Sequence, residues 1–215
     1  MKKKKLSVVL ATKNEEENIA RSLKSVKSIA DEIIVFDEYS VDATRQIARK
    51  LGAKVYKYKR KTNFHETKQK AIEKAKGDWI LQLDADEAVT HELAKEISQV
   101  IVMDNKRLLD LQESNIRLNS HFRRHQGLIE KRDGKIGKKT GEIVAFFIPR
   151  VNIFMAKPLV HGGVYPDGVI RLIKQMKARL PARSVHEQME IDGEVGWLIN
   201  PLELFDELII LKLAK

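Results

Sequence analysis

The N-terminal half of the chain alternates short, β-branched apolar runs with amphipathic stretches of helical length. Apolar runs predict strands at 6–11, 33–36 and 54–58. Between them, apolar residues at helical spacing predict helices at 15–29 and 41–51. Strands that alternate with helices indicate a mostly parallel sheet with helices on both faces, because a parallel crossover needs a helix-length connection. We therefore expect an α/β, Rossmann-like fold whose ligands bind beyond the carboxyl ends of the strands.

The alternation continues through a helix at 66–76, a strand at 79–83 and a helix at 91–103, and then stops. We interpret 104–141 as an irregular basic insertion, because it has no clear period and ends in tracts rich in Gly and Lys. It contains ten Lys and Arg residues against five acidic residues. A strand is predicted again at 142–148.

Composition excludes several classes of protein. With 215 residues, of which 43% are hydrophobic, the chain has enough apolar material for one substantial core. The absence of cysteine excludes disulfide scaffolds, thiolate zinc sites and cysteine nucleophiles, so any metal must be bound by oxygen or imidazole. No apolar run approaches the ~18 residues of a spanning helix, and the run after the N-terminal lysines is too short for a signal peptide. We therefore expect a cytoplasmic protein.

Polar residues follow each of three predicted strands at the edge where ligands are expected. Asp84 and Asp86 come directly after the apolar strand at 79–83. In an extended segment, residues two apart point the same way, so both carboxylates can converge on a hard cation such as Mg²⁺ or Mn²⁺. The same pattern is common in surface turns, and the segments after the first two strands can equally serve as helix caps.

The segments 8–16, 37–44 and 76–87 together resemble the family 2 glycosyltransferases, in order and in spacing. They read Val-Val-Leu-Ala-Thr-Lys-Asn-Glu-Glu, then Asp-x-x-Ser-x-Asp-x-Thr, then Lys-Gly-Asp-Trp-Ile-Leu-Gln-Leu-Asp-Ala-Asp-Glu. The resemblance implies the GT-A fold of that family. Four further segments resemble the subgroup that contains lipopolysaccharide-core-type glucosyltransferases: 149–152, 161–167, 170–172 and 185–187.

The resemblance also implies an activity and a set of site residues. A family member of this kind transfers a hexose from a nucleotide diphosphate sugar, usually a UDP-sugar, with inversion and with a divalent metal, Mg²⁺ or Mn²⁺. The acceptor would be an envelope glycan or a lipid-linked molecule. Asp167 matches the base that deprotonates the acceptor hydroxyl, with Glu187 as the rival. At the donor, Thr12, Glu15 and Asp37 match positions that contact the base and ribose, and Lys68 matches a position at the diphosphate or base. Asp84 matches a position at the ribose or metal. Asp86 and His186 match the metal ligands.

The resemblance divides a single domain, 1–215, into parts. The segment 6–103 would bind the nucleotide sugar, and 142–202 would be the acceptor and catalytic half. The basic insertion, 104–141, has no counterpart that we can place, and we expect it at an anionic membrane surface or against a phosphorylated acceptor. The end of the chain, 203–215, is predicted as a short amphipathic helix where the subgroup usually continues further.

Three other functions remain open on the sequence. A net charge of +10 and a pI of about 9.6, with Phe122 and His125 among the basic residues, are typical of nucleic-acid-binding proteins. That function leaves the strand-end aspartates unexplained, so we expect no nucleic-acid partner. A nucleotidyltransferase would normally have a Gly-rich phosphate loop after the first strand, and 12–18 contains no glycine. A transferase-like protein that binds a donor or partner without turnover is the third.

Overall fold

The computed structural model describes residues 4–60, 63–118, 120–154, 157–161, 165–181 and 188–205. Its helices are α1 (Ile19–Val26), α2 (Thr44–Lys50), α3 (Phe64–Lys74), α4 (His91–Val100), α5 (Asn105–Leu118) and α6 (Ser120–Asp133). Its strands are β1 (Leu6–Thr12), β2 (Glu32–Asp37), β3 (Lys54–Lys57), β4 (Trp79–Leu83), β5 (Glu87–Val89), β6 (Ile143–Phe154), β7 (Lys157–Leu159), β8 (Asp167–Lys174), β9 (Ala178–Arg179), β10 (Glu190–Ile191), β11 (Glu194–Trp197) and β12 (Leu202–Leu204).

The first four strands form the parallel part of one curled sheet, in the order β3-β2-β1-β4. β1 lies between β2 and β4, with Val9 beside both Ile34 and Gln82. β1, β2 and β4 are mostly apolar and almost completely buried because helices cover both faces of the sheet, whereas β3 is partly exposed at its edge. The predicted α/β fold with a mostly parallel sheet is therefore confirmed.

The second half of the chain extends the same sheet in the order β4-β8-β6-β12-β5. β8 is antiparallel to both β4 and β6, whereas β12 runs parallel to the C-terminal part of β6. In this arrangement Asp167, the first residue of β8, lies directly across from Arg150 of β6. The sheet therefore brings the late part of the chain to the edge at which β4 ends.

A hydrophobic core lies on each face of the sheet. One core contains Leu23 of α1 and Leu93 and Ile97 of α4, which are fully buried against the strands. The other contains Ile72 of α3 and Phe122 of α6. Helices thus cover both faces, as the alternating pattern predicts.

The prediction that 104–141 is irregular was wrong for most of its length, because α5 and α6 occupy it. The buried stripe of α5 contains Leu108 followed by the polar residues Gln112 and Asn115, both nearly inaccessible to solvent. Polar residues at buried positions remove the hydrophobic period that identifies an amphipathic helix. The Gly- and Lys-rich tracts after Asp133 are loop, as predicted.

The predicted helix at 203–215 was wrong at its start. Glu203 and Leu204 belong to β12, which pairs with β5 on one side and β6 on the other. Residues 206–215 lie outside the described part of the chain. Among the described residues, no helix combines the length and apolar character that crossing a membrane requires.

Candidate active site

The loops that follow β1 and β2 are hydrogen-bonded to each other. The Asn14 N–H donates to Ser40 Oγ (2.9 Å), and the Val41 N–H donates to Asn14 Oδ1 (3.0 Å). Asp42 Oδ1 accepts from the Thr44 N–H at the start of α2 (3.0 Å). These polar residues therefore hold the two strand-end loops side by side, where parallel neighbouring strands are expected to bring them.

Two buried oxygen atoms beneath these loops have no hydrogen-bond partner among the described residues. They are Thr12 Oγ1 and Asp37 Oδ1. The other oxygen of the fully buried Asp37 carboxylate accepts from the Ser40 N–H and from Arg45 Nη1, each at 3.0 Å. A buried acceptor without a partner is costly, so both atoms are available to the N–H or O–H groups of a ligand.

The two loops, the end of β4 and the first turns of α3 enclose a cleft of about 290 Å³. Of the predicted site residues, the cleft is lined by Thr12, Glu15, Lys68, Asp84 and Asp86. Burial raises the pKa of Glu15. The sequence thus identifies five residues that the fold brings to one cleft.

Asp84 is neutralised by two cations. Lys68 Nζ lies 2.5 Å from one of its carboxylate oxygens, and Arg171 Nη2 lies 2.5 Å from the other. Burial by itself would raise the pKa of Asp84, but the charges of Arg171 and Lys68 hold that pKa well below its usual range. Asp84 is therefore held in its ionised form at neutral pH.

Asp86 has the opposite environment, although it is only two residues away. No cationic side chain of the described residues pairs with it. Burial, followed by the negative charges of Asp84 and Glu87, raises the pKa of Asp86 to about 6. The carboxylate is thus the least compensated negative charge in the cleft, and a cation bound there would relieve the repulsion.

The remaining candidate metal ligand, His186, lies outside the described residues, as does Glu187. Within the described ranges, no three His, Asp or Glu side chains are grouped so as to hold a metal ion. Asp86 nevertheless fits a divalent cation that takes its other ligands from a diphosphate and water, because Mg²⁺ is commonly bound by one or two carboxylates and substrate phosphates.

A network of ion pairs joins Asp84 to Asp167. Arg171, which is buried, donates to Glu87 Oε1 (2.6 Å) as well as to Asp84. Glu87 also lies 3.3 Å from Arg150 Nη1, and Arg150 in turn binds Asp167. The sequence motifs include Glu87, Arg150 and Arg171, but from sequence alone only Arg171 is a candidate partner, for either a carboxylate or a phosphate. The pairs of Glu87 with Arg150 and with Arg171 join residues 63 and 84 positions apart, which no local pattern indicates.

Asp167 is held through one of its two carboxylate oxygens. Arg150 donates from Nε (3.0 Å) and from Nη2 (2.5 Å), in both cases to Oδ2. Oδ1 has no partner among the described residues, and the side chain is 36% exposed. Asp167 therefore presents a free, accessible carboxylate oxygen at the end of the same ion-pair network.

Comparison with known proteins places the chain in a family. The family model described as Glycosyl transferase family 2 matches residues 7–160, which is more than half of the chain. An uncharacterized glycosyltransferase of Rickettsia typhi is 44% identical over 103 residues, covering 48% of this chain and 35% of that protein. The glycosyltransferase SunS of Bacillus subtilis is 38% identical over 89 residues, covering 40% of this chain and 21% of that protein.

The chain spans about a third of the length of the first of these relatives. Among solved structures, it is similar to glucosyl-3-phosphoglycerate synthase from Mycobacterium tuberculosis in complex with Mn²⁺, UDP and glucosyl-3-phosphoglycerate. The identity is 25%, the TM-score is 0.40, and the match covers 47% of this chain and 41% of that one. On the match of the family model, the chain belongs to glycosyl transferase family 2.

Proposed function

We propose that the protein is a metal-dependent, inverting glycosyltransferase that transfers a hexose from a nucleotide diphosphate sugar, preferably a UDP-sugar, to an acceptor of the cell envelope. The observation that carries the proposal is the pair of aspartates in the cleft. Asp84 is neutralised by Lys68 and Arg171, whereas Asp86 is uncompensated and has a raised pKa. Membership of family 2 supports the reaction class, and the late motifs support the lipopolysaccharide-core-type subgroup.

The loops after β1 and β2 would bind the nucleoside of the donor. Thr12 Oγ1 and Asp37 Oδ1 are buried acceptors without partners, so they can accept from N–H and O–H groups of a base and ribose. Glu15 lines the same cleft. An ammonium group has three donors, so Lys68 can bind a diphosphate oxygen while it remains paired with Asp84.

A divalent cation would be held by Asp86, together with His186, and would offset the negative charge that develops on the departing diphosphate. Asp84 Oδ1 pairs with Lys68 and also accepts from Gln82 Nε2 at 3.3 Å, whereas Oδ2 accepts, among the described residues, from Arg171 alone. Oδ2 retains a lone pair for a ribose hydroxyl or for the cation.

Asp167 would act as the base. In a single displacement, the acceptor oxygen forms a bond to the anomeric carbon while the bond from that carbon to the diphosphate breaks, and the hydroxyl proton goes to Asp167. The free Oδ1 is the atom that would take it. Arg150 restricts the rotation of the carboxylate through the two hydrogen bonds to Oδ2.

The acceptor side includes the basic surface of α6, where Arg123, Arg124, Lys131 and Arg132 are exposed. Leu128 lies on the same helix and is also exposed. Cations near an anionic membrane gain ~1 kcal/mol each, so this surface supports peripheral binding to a membrane and a lipid-linked acceptor. Flotation with anionic vesicles should carry the protein upward at low salt, and neutral vesicles should not.

Thermal unfolding with nucleotides tests the donor site. UDP with Mn²⁺ should raise the unfolding midpoint of the unmodified protein, because a ligand that binds only the folded state stabilises it. The shift should vanish in Asp86→Ala. If no nucleotide shifts the midpoint with or without Mn²⁺, the donor site is wrong, and the transferase-like or nucleic-acid-binding alternatives are favoured.

Substitution of the base tests the chemistry separately. Asp167→Asn should keep the UDP- and Mn²⁺-dependent shift while it reduces transfer, measured as release of UDP, by at least 100-fold. Transfer at the unmodified rate would reject Asp167 and make Glu187 the next base to examine.

A further inference from the structure

The helix α6 reaches the backbone beside Asp167. The N–H of Gly168, the next residue, donates to His125 Nε2 at 3.0 Å. Because Nε2 accepts this bond, it is the unprotonated nitrogen of the imidazole, and the ring proton is on Nδ1. This contact joins the predicted irregular insertion to the strand that starts with the proposed base.

Close packing against Trp197 fixes the positions of both Gly168 and His125. Gly168 lies against Trp197 so closely that a Cβ on Gly168 would be 2.2 Å from Trp197 Cη2. The Trp197 ring is stacked between Phe122 and Phe147, with ring centroids 4.6 Å apart on each side. The His125 ring meets the Trp197 ring edge to face.

One face of α6 makes the helix's contacts with Trp197. Phe122, His125 and Gln126 are three and four residues apart, which is the spacing of side chains on the same side of a helix. Gln126 Oε1 accepts from Trp197 Nε1 at 3.2 Å. The helix is therefore seated on Trp197 by three neighbouring side chains, and His125 is the one that continues to Gly168.

Asp167 is consequently fixed at two points. Arg150 restrains its side chain through Oδ2, and His125 restrains the backbone that follows it. Rotation of the peptide between Asp167 and Gly168 would break the bond to His125 and leave the buried Gly168 N–H without an acceptor. The direction of the free Oδ1 thus depends on His125, although His125 does not bind the Asp167 carboxylate itself.

We propose that His125 is a positioning residue for the transfer reaction and acts through Gly168 on Asp167. It contacts neither donor nor acceptor. The proposal rests on the proposed function, because it requires Asp167 to be the base. It gives α6 a role in the reaction.

Two substitutions of similar size separate hydrogen bonding from packing. His125→Gln can place Oε1 near the position of Nε2 and still accept from Gly168, whereas His125→Leu cannot accept. His121→Leu, at an exposed position of the same helix, is the matched control. The activity measured is release of UDP from UDP-glucose with Mn²⁺, with water as the acceptor.

We expect His125→Leu to lower kcat at least tenfold with KM for UDP-glucose changed less than twofold. His125→Gln should stay within threefold of the unmodified kcat, and His121→Leu should equal it. In an Asp167→Asn background, His125→Leu should have no further effect, because residues that act through one another are not additive. Equal losses in the Gln and Leu variants, or an unmodified kcat in His125→Leu, would overturn the proposal.

Amide hydrogen exchange gives a readout that does not depend on turnover. Exchange at Gly168 should be faster in His125→Leu than in the unmodified protein, and His125→Gln should restore protection. Unchanged protection in His125→Leu would reject the hydrogen bond and the proposal with it. Failure of the proposed function looks different: Asp167→Asn would then release UDP at the unmodified rate while the exchange pattern at Gly168 stays as expected.

Discussion

At the scale of single residues, two aspartates two positions apart have opposite electrostatic environments. Asp84 contacts Lys68 and Arg171, so its pKa is depressed. Asp86 is partly buried near other negative charges, and no cation among the described residues pairs with it. Its pKa is therefore raised to about 6. The difference separates a carboxylate that organises the cleft from one that is available to a metal.

The raised pKa predicts how Asp86 affects stability. Its folded-state value of about 6 exceeds the unfolded value of roughly 3.9, so the folded state binds the proton more tightly. The contribution of this group to stability is full below about pH 4 and is lost as the pH rises through 6. In the absence of metal, Asp86→Asn should therefore raise the free energy of unfolding at pH 7.5 by about 1 kcal/mol, after allowance for solvent screening.

Urea unfolding of both proteins at pH 7.5 and at pH 4 measures this effect. The difference should disappear at pH 4, where Asp86 is protonated and resembles asparagine. A gain of equal size at both pH values would contradict the assignment of the raised pKa to this carboxyl.

Replacement of Arg171 should lower the stability of the protein, whereas replacement of Asp86 should raise it. Arg171 is buried and pairs with Asp84 and Glu87, so Arg171→Met leaves two carboxylates with less compensation. The free energy of unfolding should fall by about 3–5 kcal/mol. Lys174→Met on the same strand is the control, because its pair with Glu142 is partly exposed and should be worth less than about 1 kcal/mol. Similar losses in both variants, measured in urea, would show that the network around Asp84 is not specially stabilising.

At the scale of elements, α5 and α6 are attached to the sheet by polar side chains as well as by apolar ones. Gln112 Nε2 and Asn115 Nδ2 both donate to the Trp197 carbonyl oxygen, each at 3.0 Å. The Trp197 N–H donates to Gln112 Oε1. Buried amides that satisfy the backbone of β11 define one register for α5, which an apolar stripe alone would specify less strictly.

The close contact between Gly168 of β8 and Trp197 predicts a large loss of stability from a small substitution. Gly168→Ala puts a methyl group into the Trp197 ring, so it should lower the free energy of unfolding by about 3 kcal/mol. Gly127→Ala, in the middle of α6, meets nothing within 4 Å and should stabilise the helix by up to about 1 kcal/mol. Calorimetry of the two variants compares them directly, and a Gly168→Ala protein as stable as the unmodified one would mean that β8 and Trp197 are not in contact.

At the scale of the whole molecule, the two hydrophobic cores share one sheet. Trp79, which is 3% exposed, belongs to the core beneath α1 and α4, and Trp197, which is fully buried, belongs to the core beneath α3 and α6. Neither core can lose its strands without exposing the other. We therefore expect the two cores to unfold as one unit.

The chain has two tryptophans, so each core can be observed separately. In Trp79→Phe the fluorescence reports on Trp197, and in Trp197→Phe it reports on Trp79. Within each variant, the fluorescence and circular dichroism transitions in urea should coincide. A fluorescence transition that precedes the loss of helix in either variant would show that the two faces unfold independently.

Several individual strands and helices of this fold can be predicted from the sequence. Strands β1, β2 and β4 are predominantly apolar, and α1 and α4 have apolar stripes. Each of these patterns arises within one element, so it can be recognised in the sequence. The order of parallel strands then brings Thr12, Asp37 and Asp84 to the same edge. The proximity of these residues was predictable for that reason, with Asp37 buried beneath the cleft that Thr12 and Asp84 line.

The tertiary structure alone decided the rest. Arg171 meets Asp84, and His125 meets Gly168, across 87 and 43 residues of chain, and no periodic pattern specifies a pair so distant. The helix α5 escaped prediction because Gln112 and Asn115 stand where a buried apolar residue would reveal the period. Those amides are stable inside only because the backbone of Trp197 pairs with them, and that partner exists only after the sheet has formed.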